Sequence, residues 1–173
     1  NRIADVTSKY EHSYIRAIRF TGGILNGQEI NFSPGLNTLI GIRGSGKSAI
    51  LEVIRYALEI PFGEKAGDLK YKGELLGFAM GSGGKVEIDA IDRYGQHYII
   101  RRVWKESHSE VLVDNQLRPG VSIRETVLHK PIYFGQKDLS STGEGFEKDL
   151  VEKLLGSKLD YLRQEIEVQK SKV

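Results

Sequence analysis

The chain has no cysteine. That absence excludes a disulfide scaffold and a thiolate metal site, and it suits a reducing cytoplasm. It has no apolar run long enough to cross a bilayer and no basic-then-apolar leader at its start, so neither a membrane partner nor export is expected. It also lacks an excess of either charge: 25 Lys and Arg against 23 Asp and Glu leave a net charge of +2. Whole-molecule charge therefore argues neither for nor against nucleic acid, and a basic surface would have to be local. The histidines, His12, His97, His108 and His129, are scattered without the spacing of a metal site. No pair of carboxylates marks a glycosidase or protease, and no hydroxyl–His–Asp set can be argued from the sequence. The first residue is Asn1 rather than Met, so a piece of something longer is expected.

What is present is a globular balance. The 173 residues, 39% hydrophobic and 28% charged, are enough for one domain with its own core. Residues 1–12 are polar and mixed, a lead-in. Tyr14 to Phe20 alternates and predicts a strand; Thr21-Gly22-Gly23 and Asn26-Gly27 are turn signals. Gln28–Phe32 predicts a second strand and Ser33-Pro34-Gly35 a turn. Leu36–Ile40 predicts a short, largely buried strand that runs directly into Gly41. Ala49–Leu58 is apolar on nearly every face. It predicts a helix wrapped by protein on most sides and ended by Pro61. Residues 62–84, rich in glycine and lysine, predict a long surface loop with room for one short helix.

From Lys85 the period changes to two. Val86, Ile88 and Ala90 alternate with Glu87 and Asp89, Arg93–Gln96 is a turn, and His97–Trp104 and Val111–Val113 are strands closed by Asp114-Asn115. This is an antiparallel β insertion over about residues 85–118. Pro131–Phe134 predicts one more strand, ending at Gly135-Gln136. From Glu144 the pattern is helical. Leu155, Leu159, Leu162, Ile166 and Val173 keep a coiled-coil spacing, with Gln169 at the intervening seam position. An amphipathic helix packed on the domain is the alternative; rising charge and the loss of aromatics after Tyr161 favour the coil. The organisation expected is a lead-in at 1–12, a head at 13–143 and the start of an arm at 144–173.

The motif that carries chemistry is Gly41-Ile42-Arg43-Gly44-Ser45-Gly46-Lys47-Ser48, a complete G-x-x-x-x-G-K-[ST] followed by Ala49. Gly41, Gly44 and Gly46 let the backbone curl with its N–H groups inward around phosphate oxygens, beside Ser45. The helix that follows adds its positive N-terminal end. Lys47 supplies a compact cation for the β- and γ-phosphates, and Ser48 a hydroxyl for Mg²⁺. The alternative is a Gly-rich strand–helix turn with a solvated lysine; the predicted strand before and helix after favour the nucleotide reading. Gly81-Ser82-Gly83-Gly84-Lys85 looks similar, but Val86 follows its lysine and a strand follows the loop, so it is expected to be a plain flexible loop.

The order of these parts resembles a known family. Phe32-Ser33-Pro34-Gly35-Leu36-Asn37, the loop with its helix, the meander containing Tyr98-Ile99-Ile100-Arg101-Arg102-Val103, and Ile132-Tyr133-Phe134-Gly135-Gln136 leading to a coil are similar to the N-terminal half of the head of SMC, SbcC, RecF and RecN-type ATPases. These are coiled-coil relatives of ABC ATPases. The resemblance, covering roughly Tyr14 onward, implies an α/β P-loop NTPase core with an antiparallel β-subdomain and a coiled-coil arm. It implies ATP and Mg²⁺ as ligands, and Gln136 as the Q-loop residue that helps hold Mg²⁺ and the attacking water. It implies completion of the head by a C-terminal half that carries the acidic hydrolysis residues, and a homodimer with nucleotides sandwiched between heads. DNA contact, in repair, chromosome maintenance or anti-phage defence, is a further implication. The family usually has asparagine where this chain has Arg43. Arg43, counted with the loop's nucleotide-binding residues, could reach a phosphate, but a role facing solvent or a partner subunit is the favoured expectation. The same variant occurs in SMC-like ATPases fused to PHP-type phosphoesterases.

Two other readings stay open. Asp92-Arg93-Tyr94-Gly95 matches the D-x-x-G of GTPases, with Asp92 toward Mg²⁺ and Gly95 toward the γ-phosphate. Against it stand the half-exposed pattern of the preceding strand, the quality of Arg93–Gln96 as a hairpin turn, and the lack of N-K-x-D. A non-enzymatic nucleic-acid module would use Arg101, Arg102 and Lys105 with Tyr98 and Trp104. Neighbours on a strand point to opposite faces, so Arg101 and Arg102 are not expected to meet one ligand.

Overall fold

The computed structural model describes residues 12–61, 69–129, 131–133, 166 and 170. The chain divides into two compact units, Asn1–Gly63 with Asp68–Pro131, and Glu64–Gly67 with Ile132–Val173. The elements below all belong to the first.

The alternating segments form strands β1 (Tyr14–Thr21), β2 (Glu29–Asn31), β3 (Lys85–Ile91), β4 (His97–Val103), β5 (Glu110–Val113) and β6 (Gln116–Leu117). Among the described residues they make one antiparallel sheet in the order β2-β1-β3-β4-β5-β6. The meander is thus continuous with the first hairpin, because β1 pairs directly with β3. Asp114 and Asn115 both take positive φ, 51° and 60°, the conformation of a two-residue hairpin whose twist matches its strands.

Register sorts the side chains. Ile18, Ile88 and Ile100 stand in one cross-strand row, and Phe20, Val86 and Arg102 in the next. Ile18, Val86, Ile88 and Ile100 are fully buried. The opposite face carries a transverse ladder of alternating charge: Glu29, Arg19, Glu87, Arg101 and Glu110 pair in turn across β2, β1, β3, β4 and β5. Arg19 reaches Glu29 at 3.1 Å, and Arg101 reaches Glu87 at 2.9 Å and Glu110 at 3.6 Å. Opposite charges facing across strands stabilise pairing, each pair by up to ~1 kcal/mol. Next to this row β1 carries a bulge between Ile15 and Ala17. The extra residue, Arg16, turns its guanidinium onto the buried carboxylate of Asp89.

Helix α1 (Lys47–Ala57) contacts β3, β4 and a second helix, α2 (Leu69–Met80). Ala49, Val53 and Ala57 are buried. Its stop is local: Glu59 takes φ 54°, Ile60 N–H donates to Arg55 O at 3.1 Å, and Arg55 Nη1 donates to Ile60 O at 2.7 Å. A short π-helical turn, α3 (Ile123–Val127), follows the sheet and is capped by Ser122, whose hydroxyl accepts from Glu125 N–H.

The structure corrects several sequence expectations. Leu36–Ile40 is not a strand and pairs with no described strand, and Leu36 and Ile40 are 94% and 91% exposed. Apolar strand composition cannot form a strand without a neighbouring edge, and no described strand lies beside it. By contrast, α1 is covered on most sides as expected: Ala49, Glu52, Val53, Arg55 and Ala57 are buried and within the helix only Ser48 and Leu51 are exposed, although two of the buried residues, Glu52 and Arg55, are a charged pair at 2.8 Å. Within 62–84 a regular 12-residue helix, α2, stands where mostly loop was expected. Its weak amphipathic pattern and Gly73 and Gly77 hid it. Pro131–Tyr133 is not a strand; Phe134 lies outside the described residues.

Gly81–Lys85 is not a plain flexible loop. A Cβ at Gly84 would lie 1.7 Å from Met80 O, one at Gly23 2.0 Å from Ala79 O, and one at Gly81 3.0 Å from the Gly23 backbone. These glycines let the β1–β2 turn sit on the end of α2. Apart from Ile166 and Lys170, both helical, the predicted arm lies outside the described residues, as does the lead-in before His12.

Candidate nucleotide-binding site

The loop follows the irregular segment that ends at Ile40 and leaves as α1, which begins at Lys47. Gly44 and Gly46 take φ of 83° and 86°. L-residues rarely hold this conformation, and it turns successive N–H groups toward one side. Gly46 occupies the N-cap position, with no side-chain cap and no acidic residue in the first turn. The first bond of the α1 ladder runs from Ile50 N–H to Gly46 O at 3.0 Å. The N–H groups before it have no helical acceptor, so the positive end of α1 is presented to the loop.

Lys47 folds back over this cradle. Its ammonium donates to Gly41 O at 2.7 Å, Ile42 O at 2.8 Å and Ser45 Oγ at 3.1 Å. All three protons are placed by the loop itself. Gly41 has a steric reason to be glycine: a Cβ there would lie 2.5 Å from Ser45 Oγ and 3.8 Å from Lys47 Nζ. Ser48 is exposed in the first turn, and Ala49, 2% exposed, seats the helix on the core. Arg43 is exposed at the turn and has no hydrogen-bond or ionic partner among the described residues. Gln136 lies outside the described residues.

The other candidate residues are placed elsewhere. Asp92 is a hairpin organiser: Oδ1 accepts from Tyr94 N–H at 2.8 Å and Gln96 N–H at 2.9 Å, and Oδ2 accepts from Tyr98 Oη at 3.3 Å. Burial, then the charge and hydrogen bond of Asp92, push the Tyr98 hydroxyl above its ordinary pKa and keep it a donor. Arg101 and Arg102 diverge as strand geometry requires. Arg101 joins the charge ladder, while buried Arg102 lies 4.4 Å over the Tyr56 ring and 3.2 Å from Glu59. Trp104 packs edge-on to Tyr56 at 5.4 Å. Lys105 N–H donates to Tyr56 Oη at 3.1 Å. Among the described residues no group of His, Asp and Glu could hold a metal ion, and no helix is long and apolar enough to cross a membrane.

Sequence reasoning missed one assembly. The far end of the loop's helix is fixed to the β4–β5 connection, with Ser109 Oγ donating to Ala57 O at 2.7 Å and Ser109 N–H to Glu59 Oε1 at 2.6 Å. Its members are some 50 residues apart, and no periodicity signals such a contact.

Comparison with known proteins bears on this geometry. The AAA domain family profile matches residues 14–172. A Thermoplasma acidophilum protein described as a DNA double-strand break repair Rad50 ATPase is 32% identical over 120 residues, which is 64% of this chain and 12% of that protein. The chain thus spans a small part of that relative's length. A solved structure from work on the structural biochemistry of ATP-driven dimerization and DNA-stimulated activation of SMC ATPases superposes with a TM-score of 0.55 at 18% identity. It covers 82% of this chain and 99% of the other. At that identity the likeness shows the fold, an α/β P-loop NTPase core. The chain belongs to the AAA domain family.

Proposed function

We propose that this chain is the ATP-loading half of an SMC-like head, holding magnesium-ATP at Gly41–Ser48. The observation that carries this is the Lys47 ammonium, seated by Gly41 O, Ile42 O and Ser45 Oγ at the open, positive end of α1. A terminal phosphate entering the cradle displaces one of the three loop acceptors of an ammonium that the loop already holds nearby. Gly44, Ser45 and Gly46 present backbone N–H groups, and Ser48 offers its hydroxyl to the metal. Bound Mg²⁺ neutralises charge between the β- and γ-phosphates. Gln136 is the proposed Q-loop residue, with Lys47 the other catalytic group.

Hydrolysis is proposed to require a C-terminal half, which adds the acidic residues. Support comes from the exposed apolar run beside the loop: Leu36, Ile40 and Ile42 are 94%, 91% and 83% exposed and Leu51 is 45% exposed. An unpaired apolar edge of this kind suits pairing with another strand. Completed heads would then form a homodimer around two nucleotides, in the cytoplasm, with DNA as the associated polymer and repair, chromosome maintenance or phage defence as the setting. The likeness to a Rad50 ATPase of DNA double-strand break repair and to a structure from work on ATP-driven dimerization of SMC ATPases supports this.

The test is to titrate the separately produced C-terminal half into this chain and follow ATP hydrolysis. Turnover is expected only in the mixture, and Leu36→Asp with Ile40→Asp is expected to suppress it. Equal turnover by this chain alone would contradict the half-site reading.

A further inference from the structure

Arg43 is conspicuous for what surrounds it. On the sheet, Arg16, Arg19, Arg101 and Arg102 each have a carboxylate partner. Arg43 has none among the described residues. From Ile30 to Leu51 there is no acidic residue, and the only charged side chains in that stretch are Arg43 and Lys47. Both stand in the loop. The first acid beyond it, Glu52, is buried against Arg55. Two cations and an uncapped helix end are therefore concentrated in the loop, with no ion pair to either cation among the described residues.

Covalent geometry places Arg43 relative to the phosphates. Lys47 Nζ lies 2.8 Å from Ile42 O. That oxygen is about 2.8 Å from the Cα of the next residue across a trans peptide. The Arg43 Cα is therefore within about 5.6 Å of the ammonium, less than the reach of an arginine side chain. In such a loop the lysine marks where β- and γ-phosphates meet. A guanidinium starting this close, with no partner among the described residues, can grip the outermost phosphate with two parallel N–H bonds.

Resting on the ATP-loading reading, we propose that Arg43 is a specificity-determining residue that contacts the γ-phosphate of the nucleotide held by its own loop, so that the loop distinguishes ATP from ADP. Backbone N–H groups and Lys47 hold the phosphates common to both nucleotides. Arg43 holds the one that only ATP has. Removing it lowers affinity for ATP and leaves affinity for ADP nearly unchanged, whereas a solvated arginine affects both only slightly, ATP a little more for its extra charge, and Arg43→Lys, which keeps that charge, would then behave as the unaltered chain.

The experiment measures magnesium-ATP and magnesium-ADP binding to the full chain, to Arg43→Gln, to Arg43→Lys and to Lys47→Ala. Circular dichroism checks that each is folded. Arg43→Gln is expected to narrow the ATP/ADP affinity ratio about tenfold, or about 1.4 kcal/mol, by weakening ATP alone. Arg43→Lys keeps the charge but not the planar fork and should fall between. An unchanged ratio, or equal losses for both nucleotides, overturns the role of Arg43 while leaving the Lys47-dependent site standing. A ratio that narrows only at concentrations where chains associate overturns contact within one chain. If no nucleotide binding depends on Lys47, the loading reading fails and this inference with it.

Discussion

The ammonium of Lys47 lies 2.7 Å from the carbonyl oxygen of Gly41, six residues earlier at the mouth of the loop. This bond closes the loop on itself, and it makes the first residue of the motif part of the lysine's seat. A side chain at position 41 would enter the space between Ser45 and Lys47. Gly41→Ala is therefore expected to weaken ATP binding by about tenfold, or about 1.4 kcal/mol. The exposed loop can shift without disturbing the core, so the melting temperature should change little. Calorimetric titration beside a thermal melt checks both halves of this expectation.

Glu59 anchors the other end of the loop's helix, accepting from Arg102 and Ser109 while in a positive-φ conformation. Glu59→Ala leaves the buried Arg102 guanidinium without its carboxylate. Because Glu59 is itself 35% exposed, the loss should be about 2 kcal/mol, below that of a fully buried pair. Glu59→Gln, which keeps an acceptor, should lose less. Urea unfolding of the two variants tests the order.

Asp92 decides between ATPase and GTPase readings. Its carboxylate serves the hairpin turn and Tyr98. Asp92→Ala is expected to cost about 2 kcal/mol of stability by stranding these donors, with no change in the ratio of ATP to GTP affinity. A selective change in GTP binding would revive the D-x-x-G reading.

The charge ladder should make stability sensitive to acid. Burial pushes the Glu87 carboxyl up, but the hydrogen bond from Arg101 and the charges of Lys85 and Arg101 outweigh it and hold Glu87 below its ordinary value of 4.5. A depressed folded-state pKa gives stability that is complete above the unfolded value and is lost as pH falls through the folded one. Unfolding free energy should therefore fall between about pH 5 and pH 3, and Glu87→Gln should flatten that fall. The same slope in both proteins would remove Glu87 from the explanation.

The parts of the fold legible in the sequence were those with a strong local period. The alternation around Ile18, Val86, Ile88 and Ile100 marked β1, β3 and β4, and the Asp114-Asn115 turn marked the last hairpin. The divergence of Arg101 and Arg102 followed from strand geometry alone. What was illegible depended on distant partners. Leu36–Ile40 has a strand's composition but no described neighbour to pair with. The glycines at 81 and 84 suggested freedom, yet they are fixed by close approach of the Gly23 and Met80 backbones. At the site, the motif singled out Gly41–Ser48 as candidates, while the seat of Lys47 on two carbonyls and the lack of a partner for Arg43 among the described residues required coordinates.

The most direct test of the central claim is a calorimetric titration of magnesium-ATP and magnesium-GTP into this chain and into Lys47→Ala, both folded by circular dichroism and with the C-terminal half added in a parallel series. The account predicts ATP binding that exceeds GTP binding and disappears in Lys47→Ala. Binding that Lys47→Ala leaves intact, or no binding even with the C-terminal half present, would contradict it.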